Sequence, residues 1–203
     1  MQTGGVTYGP FYKCLPVQAG PDFGLRTDAL DRIIDCLSDM MDRYREFVVV
    51  QLDIQLPPGG NFDDWKAIER FSDKFRALLA HLHIDSHYAW IRQAQGSNPC
   101  HHYNSALLVE TDYGNTLDLH LANANGLWEL EAPSTSPDAP IHYCSLPDAP
   151  DAAPTLTVRR DSLGFEDSCG RALRWLSRMA HVEGRHYPSG DDSSFGYSTP
   201  AWW

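Results

Sequence analysis

The sequence predicts an α+β fold: a mainly antiparallel central sheet covered by helices. Three observations predict it. Phe47–Leu56 is a near-continuous β run closed by Pro57-Pro58-Gly59-Gly60, the pattern of a central strand buried on both faces. Two apolar-alternating runs, Ser86–Arg92 and Tyr103–Val109, flank a turn-like Pro99-Cys100 and read as a hairpin, which forces antiparallel pairing. Helical periods interleave with these runs rather than following them as a separate block.

Taken in order, residues 1–26 are rich in Gly and Pro with scattered aromatics (Tyr8, Phe11, Tyr12, Phe23) and read as an N-terminal arm packed on the domain. The main domain is expected over 27–182. Thr27 is placed to cap a helix whose apolar stripe is Leu30, Ile33, Ile34, Leu37, Met41 and Tyr44. Asn61 is placed to cap a second helix that turns Trp65, Ile68, Phe71, Phe75, Leu78, Leu79 and Leu82 inward. After the hairpin, Thr111–Asn115 has turn composition, and Leu117–Glu129 fits a helix through Leu117, Leu121, Ala124 and Trp128. Residues 132–154 are rich in proline and read as a surface insertion with a short strand at Ile141–Cys144. Thr155–Arg160 is a further β run. Phe165–Ala180 is a last helix with Phe165, Cys169, Leu173, Leu176 and Ala180 inward. Residues 183–203 form a polar and aromatic tail without periodicity.

Composition narrows function. The chain of 203 residues carries a net charge of −11, and only three of its 16 cationic residues are lysine (Lys13, Lys66, Lys74). Strong non-specific grip on a nucleic-acid backbone calls for a basic stripe, and no basic block is visible. Acidity suits a bacterial enzyme or a protein that occupies a basic partner surface. Five widely spaced cysteines without a CxxC pair argue against a disulfide framework or zinc ribbon and for a reducing cytoplasm. The start lacks a basic and apolar leader, and no apolar run is long enough to span a membrane.

Four constellations could bear chemistry. On a strand through Tyr103–Val109, His102 and Asn104 share one face while His101 and Tyr103 share the other. Two imidazoles so spaced grip a divalent ion, but the second position is an amide; exposed polar residues at a hairpin are the plainer reading. Asp53 is a lone carboxylate in an apolar strand, where an unpaired buried charge demands a partner. It either faces a site or is solvated near the strand end. Trp175 and Arg178 are three apart on the last helix, where a hydroxyl at the first position would be needed for attack. Packing beside a solvated arginine accounts for them. Arg159 and Arg160 could bind phosphate or carboxylate at a strand end, though a solvated terminus is the plainer reading.

In order and spacing, these pieces resemble the inovirus-type gene-two-product family, also known as YagK/YfjJ C-terminal domains, of prophages and other mobile elements. The marks are Val50-Gln51-Leu52-Asp53, Tyr88–Gln93 leading to Pro99 and His102-Tyr103-Asn104, and then Leu127-Trp128 and Ile141-His142-Tyr143-Cys144. Val158–Asp161, Trp175–Arg178 and Phe195-Gly196-Tyr197-Ser198 complete them. The resemblance implies a fold like that of HUH rolling-circle replication initiators, which bind Mg²⁺ or Mn²⁺ and nick one DNA strand with a helix tyrosine. It places His102 and Asn104 at the two histidine positions, Asp53 at the neighbouring acidic position, Trp175 at the nucleophile and Arg178 at the adjacent lysine. Asn104 and Trp175 depart from that pattern. Tyr187 and Tyr197 lie in the aperiodic tail, where fixed geometry is hard to hold.

The expectation is a cytoplasmic mobile-element protein that no longer nicks and needs no cofactor. It would bind single-stranded DNA or a host or phage protein, with Arg159, Arg160 and Arg178 as contact residues and no membrane. Two alternatives stand beside it. One is an acidic inhibitor of a host nucleic-acid defence system, of the anti-CRISPR or anti-restriction kind. The other is an active nicking endonuclease in which His101, His102 and Asp53 hold Mg²⁺ or Mn²⁺.

Overall fold

The computed structural model describes residues 5–56, 65–94, 101–110, 117–133, 140–182 and 195–197; the side chains of residues 65, 93, 94, 101, 117, 195 and 197 are not among those described. Asn61, the Pro99-Cys100 turn, Thr111–Asn115 and Tyr187 lie outside these residues. The architecture is α+β, with a mainly antiparallel sheet and four α-helices among the described residues.

The N-terminal arm folds as short strands: β1 (Val6–Thr7), β2 (Phe11–Tyr12), β3 (Leu15–Pro16) and β4 (Gly24–Arg26). Helix α1 (Thr27–Arg43) follows directly. Thr27 is its first residue rather than its cap, and Arg26 occupies the cap position without a side-chain cap bond. The reason is local: the Thr27 amide and hydroxyl both donate to the Gly5 carbonyl, at 2.9 and 3.1 Å, tying the helix start to the arm.

Strand β5 (Glu46–Gln55) is the spine of the sheet. Helix α2 (Trp65–His81) leads to β6 (Ser86–Ala94), which pairs antiparallel with β7 (His101–Glu110), and β7 pairs antiparallel with β5. Helix α3 (Leu117–Glu131) then leads to β8 (Ile141–Tyr143), on the other side of β5. The unit β5-α2-β6-β7-α3-β8, with strands ordered β6-β7-β5-β8, is the split βαββαβ arrangement. Strand β9 (Thr155–Arg159) pairs with the first half of β5, in line with β8 along the same edge. Helix α4 (Phe165–Leu176) and a 3₁₀ turn (Ser177–Ala180) follow, and β10 (His181–Val182) joins β4 and β1 in a small sheet. Strand β11 (Phe195–Tyr197) lies on β6 at the far edge of the main sheet. The C-terminal stretch therefore includes an ordered strand where no periodicity announced one, because three residues are too few to show a period.

Side-chain alternation along β5 feeds two cores. Val48, Val50, Leu52 and Ile54 meet α2 and α3, while Phe47 and Val49 meet α1 and α4. The proline-rich stretch 132–154 contributes Ala132, Ile141 and Leu146 to these cores, all buried, so its described parts belong to the body of the domain. Leu82, read as inward, follows the end of α2 and is 43% exposed. No helix among the described residues is long and apolar enough to cross a membrane.

Candidate functional site

The α1/α4 face of the sheet is apolar over only half its length. Phe47, Val49, Ala106 and Leu108 lie under the helices. Further along the same strands, the alternation delivers Gln51, Asp53 and Gln55 on β5, and Asn104 and His102 on β7. Register makes this a patch: Asp53 sits opposite Asn104 on one side and His142 on the other, and Gln55 sits opposite His102. Cys144 follows β8, its amide donating to the Gln51 carbonyl at 2.8 Å. Sequence reasoning brought Asp53, His102 and Asn104 here. It did not bring Gln51, His142 and Cys144, whose membership depends on β8 finding the free edge of β5. The one available signal was Gln51, a second polar residue at the alternation period from Asp53.

Gln51 is 4% exposed, Asp53, Asn104 and His102 are half-buried, and His142 is exposed. Among the described residues, Gln51 Oε1 and Asp53 Oδ1 are buried acceptors with no hydrogen-bond donor. Such groups each cost about 1–3 kcal/mol of uncompensated desolvation. Two of them, two residues apart on one face, form an acceptor-rich floor.

Trp175 and Arg178 belong to α4 and the 3₁₀ turn after it, on the helix side of the same face. Trp175 is 2% exposed and packs in the α1/α4 core beside Leu173, Leu176 and Met179. It joins the inward set within α4 itself, three residues past buried Ala172 and on the same helix face. Its indole has no hydroxyl to attack a phosphodiester. Arg178 is exposed on the 3₁₀ turn. The Cys144 thiol reports the shared neighbourhood: burial first, then the charge of Asp53, pushes it up to about 12, against the opposing pull of Arg178. Cys144 is therefore a neutral thiol near pH 7, not a nucleophilic thiolate.

Arg159 and Arg160 are elsewhere. Arg159 is paired in register with Glu46 at the opposite end of β5, seven residues from Asp53 or roughly 23 Å along the strand. It is bonded to the Glu46 carboxylate, and Arg160 donates to the Met41 carbonyl at 2.7 Å. Tyr103, between His102 and Asn104, points to the other face and is 1% exposed, edge-on to Trp90 at 5.4 Å. Tyr197, assigned to the aperiodic tail, has its backbone fixed opposite Ala89 in β11.

Of the residues expected to hold a divalent ion, Asp53 and His102 lie on adjacent strands of one face, diagonal to each other across the β5–β7 register. No group of three or more His, Cys, Asp or Glu side chains among the described residues is arranged to hold one. Asn104 offers a neutral amide where an imidazole is called for, and the side chain of His101 lies outside the described residues.

A scan against protein-family models gave no match, and searches of curated proteins and of solved structures gave none either. The resemblance to the inovirus-type family rests on the residues of this chain alone.

Proposed function

We propose that this chain is a prophage or mobile-element protein of the bacterial cytoplasm. In this reading its replication-initiator-like fold binds single-stranded DNA without nicking it. The observation that carries it is the pair of acceptors, Gln51 Oε1 and Asp53 Oδ1, without donors among the described residues on a polar sheet end, with Asp53 and Arg178 both within electrostatic reach of Cys144. Unpaired bases present amino and imino donors to such a floor, and a cation at the rim suits the phosphate that follows each base. The initiator-like part is supported by Asp53 lying directly opposite Asn104, with α4 packed over the same face. The loss of nicking is supported by the buried indole of Trp175 at the position where a hydroxyl would be required.

Fluorescence anisotropy with a labelled single strand tests this. Binding should saturate, weaken with Arg178→Glu and be indifferent to Arg159→Glu. Incubation with Mn²⁺ should leave no covalent adduct. The fixing of Tyr197 in β11 favours one rival, active nicking, and an adduct abolished by Tyr197→Phe would establish it. The 27 acidic against 16 basic residues favour the other, an inhibitor of a host nucleic-acid enzyme. Absence of DNA binding together with a stoichiometric complex with a basic host protein would establish that one.

A further inference from the structure

Between α4 and the turn at Leu146–Asp148 lies a cleft of about 210 Å³, lined by Leu146, Pro147, Asp148, Arg171, Arg174 and the edge of Trp175. We propose that this cleft is a nucleotide subsite, seating one base of single-stranded DNA with its phosphate on Arg174. The proposal rests on the DNA-binding reading above and extends it to a second location on α4.

The cleft is built on firm ground. Leu146 is 6% exposed and bridges to Ala149, whose amide donates to the Leu146 carbonyl at 3.2 Å. The volume is below the roughly 300 Å³ at which drug-sized sites begin, so it suits one ring system rather than a whole dinucleotide cofactor. Leu146 and Pro147 supply apolar surface for the faces of a planar ring. Asp148 takes both bonds from Arg171, Nε and Nη2 at 2.9 Å, on Oδ2 alone. Its Oδ1 is left to accept a hydrogen bond from an exocyclic amino group, the pairing carboxylates make with cytosine.

Charge supplies the independent observation. Among the described residues, Arg26, Arg32, Arg43, Arg45, Arg70, Arg159 and Arg171 each pair with a carboxylate. Arg160 holds a carbonyl, and Arg76 and Arg92 are likewise engaged. Arg174 and Arg178 have no such partner among the described residues, although the chain holds 27 acidic residues. Like charges one turn apart repel. A phosphate backbone passing over α4 would neutralise both. An acidic peptide would meet the Asp148 carboxylate; a nucleobase brings donors to it.

The test is anisotropy with short oligo-dC and oligo-dT on the wild type, Arg174→Glu, Arg178→Glu and Asp148→Asn. A parallel titration with dCMP is followed by the indole N–H signal of Trp175. Expected are about tenfold weaker oligo-dC binding in Arg174→Glu, the worth of one charge-assisted contact, a preference for oligo-dC that Asp148→Asn removes, and a Trp175 shift with dCMP. Wild-type binding that Arg178→Glu weakens and Arg174→Glu leaves unchanged overturns the subsite and spares the DNA-binding reading. No oligonucleotide binding with a saturable dCMP shift at Trp175 overturns that reading and keeps the cleft as a mononucleotide site. Neither binding nor shift overturns both.

Discussion

The two faces of the one sheet are built to opposite specifications. Toward α2 and α3, Phe71, Tyr88, Trp90, Tyr103 and Trp128 interlock edge-to-face, with centroids 5.4–6.5 Å apart, and each is 2% exposed or less. The Trp128 indole reaches back to the Gln55 carbonyl at 3.1 Å, so even its polar atom is satisfied. Toward α1 and α4, the same strands alternate into an apolar half, a polar floor with donorless acceptors at one end, and the buried His87–Asp39 contact toward the other. Because alternation gives both faces equal numbers of positions, the difference is one of content. The α2/α3 face is filled by interlocking rings along its length, while the α1/α4 face ends in a polar patch where Gln51 Oε1 and Asp53 Oδ1 have no donor among the described residues.

Truncation on the first face has the largest expected effect. Trp128→Ala removes the ring that Phe71 and Tyr103 both pack against, and should cost about 3–5 kcal/mol, read as a lowered urea midpoint at constant slope. A loss below about 1 kcal/mol would mean that the aromatic cluster is not the stabilising face.

Next in size is the seam where β11 meets β6. Gly196 lies opposite Trp90, and a Cβ there would fall 2.3 Å from the indole ring. Gly196→Ala should displace β11 or the indole at a cost of about 1–3 kcal/mol, and amide exchange should accelerate at Ala89–Ile91. Unchanged exchange would show that β11 does not depend on the Trp90 contact.

What the sequence made legible, and what it did not, divides along these same lines. Long elements with a clear period (α1, β5, α2 and the β6–β7 hairpin) could be read directly, since each announces which side is buried. Asp53 was legible as a carboxylate stranded among Val, Leu and Ile. Its neighbour His142 was not, because their adjacency is set by a register between residues 89 apart in the chain. Strand β11 is too short to show alternation. Arg159-Arg160 and Arg178 looked alike as candidates; only the meeting of β9 with the start of β5 commits the first two to Glu46 and Met41. Partner choice is a tertiary property, and arginines in sequence do not disclose it.

Acid should act through the α1/α4 face. His87 is 2% exposed, 2.6 Å from Asp39 Oδ2, with Arg43 3.2 Å from the same ring nitrogen and Arg76 also within electrostatic reach. Burial is the largest influence and lowers its proton affinity, Asp39 raises it, and Arg43 and Arg76 lower it further, for a net lowering. The unfolded imidazole takes its proton near pH 6.5 and the folded one only below that, so between the two values the unfolded state binds more protons. His87 thus contributes stability that is complete above about pH 6.5 and is lost as pH falls toward the folded value. Thermal midpoints between neutral and mildly acidic pH should decline, and His87→Gln should flatten that decline. An unchanged slope in the variant would assign the acid sensitivity to other groups.

Within the floor, the expectation reverses sign. Asp53→Ala removes a buried acceptor that has no donor among the described residues, so stability should hold or rise by up to about 1 kcal/mol while DNA affinity falls. A clear loss of stability would show that Asp53 is compensated after all and belongs to the fold.

The smallest stability effects are expected from the arginines, and there the contrast lies in binding. Arg159 and Arg178 are both exposed, yet among the described residues only the first has a carboxylate partner. Surface ion pairs contribute little, so neither Arg159→Ala nor Arg178→Ala should move the denaturation midpoint appreciably. Their salt dependences should separate. If Arg178 neutralises one phosphate of a single strand, its removal lowers the slope of log K against log salt by about 0.7. Arg159, already neutralised by Glu46 at the far end of β5, should leave that slope untouched. Equal slopes for the two variants would place the DNA elsewhere on the molecule and break the division of labour between the faces.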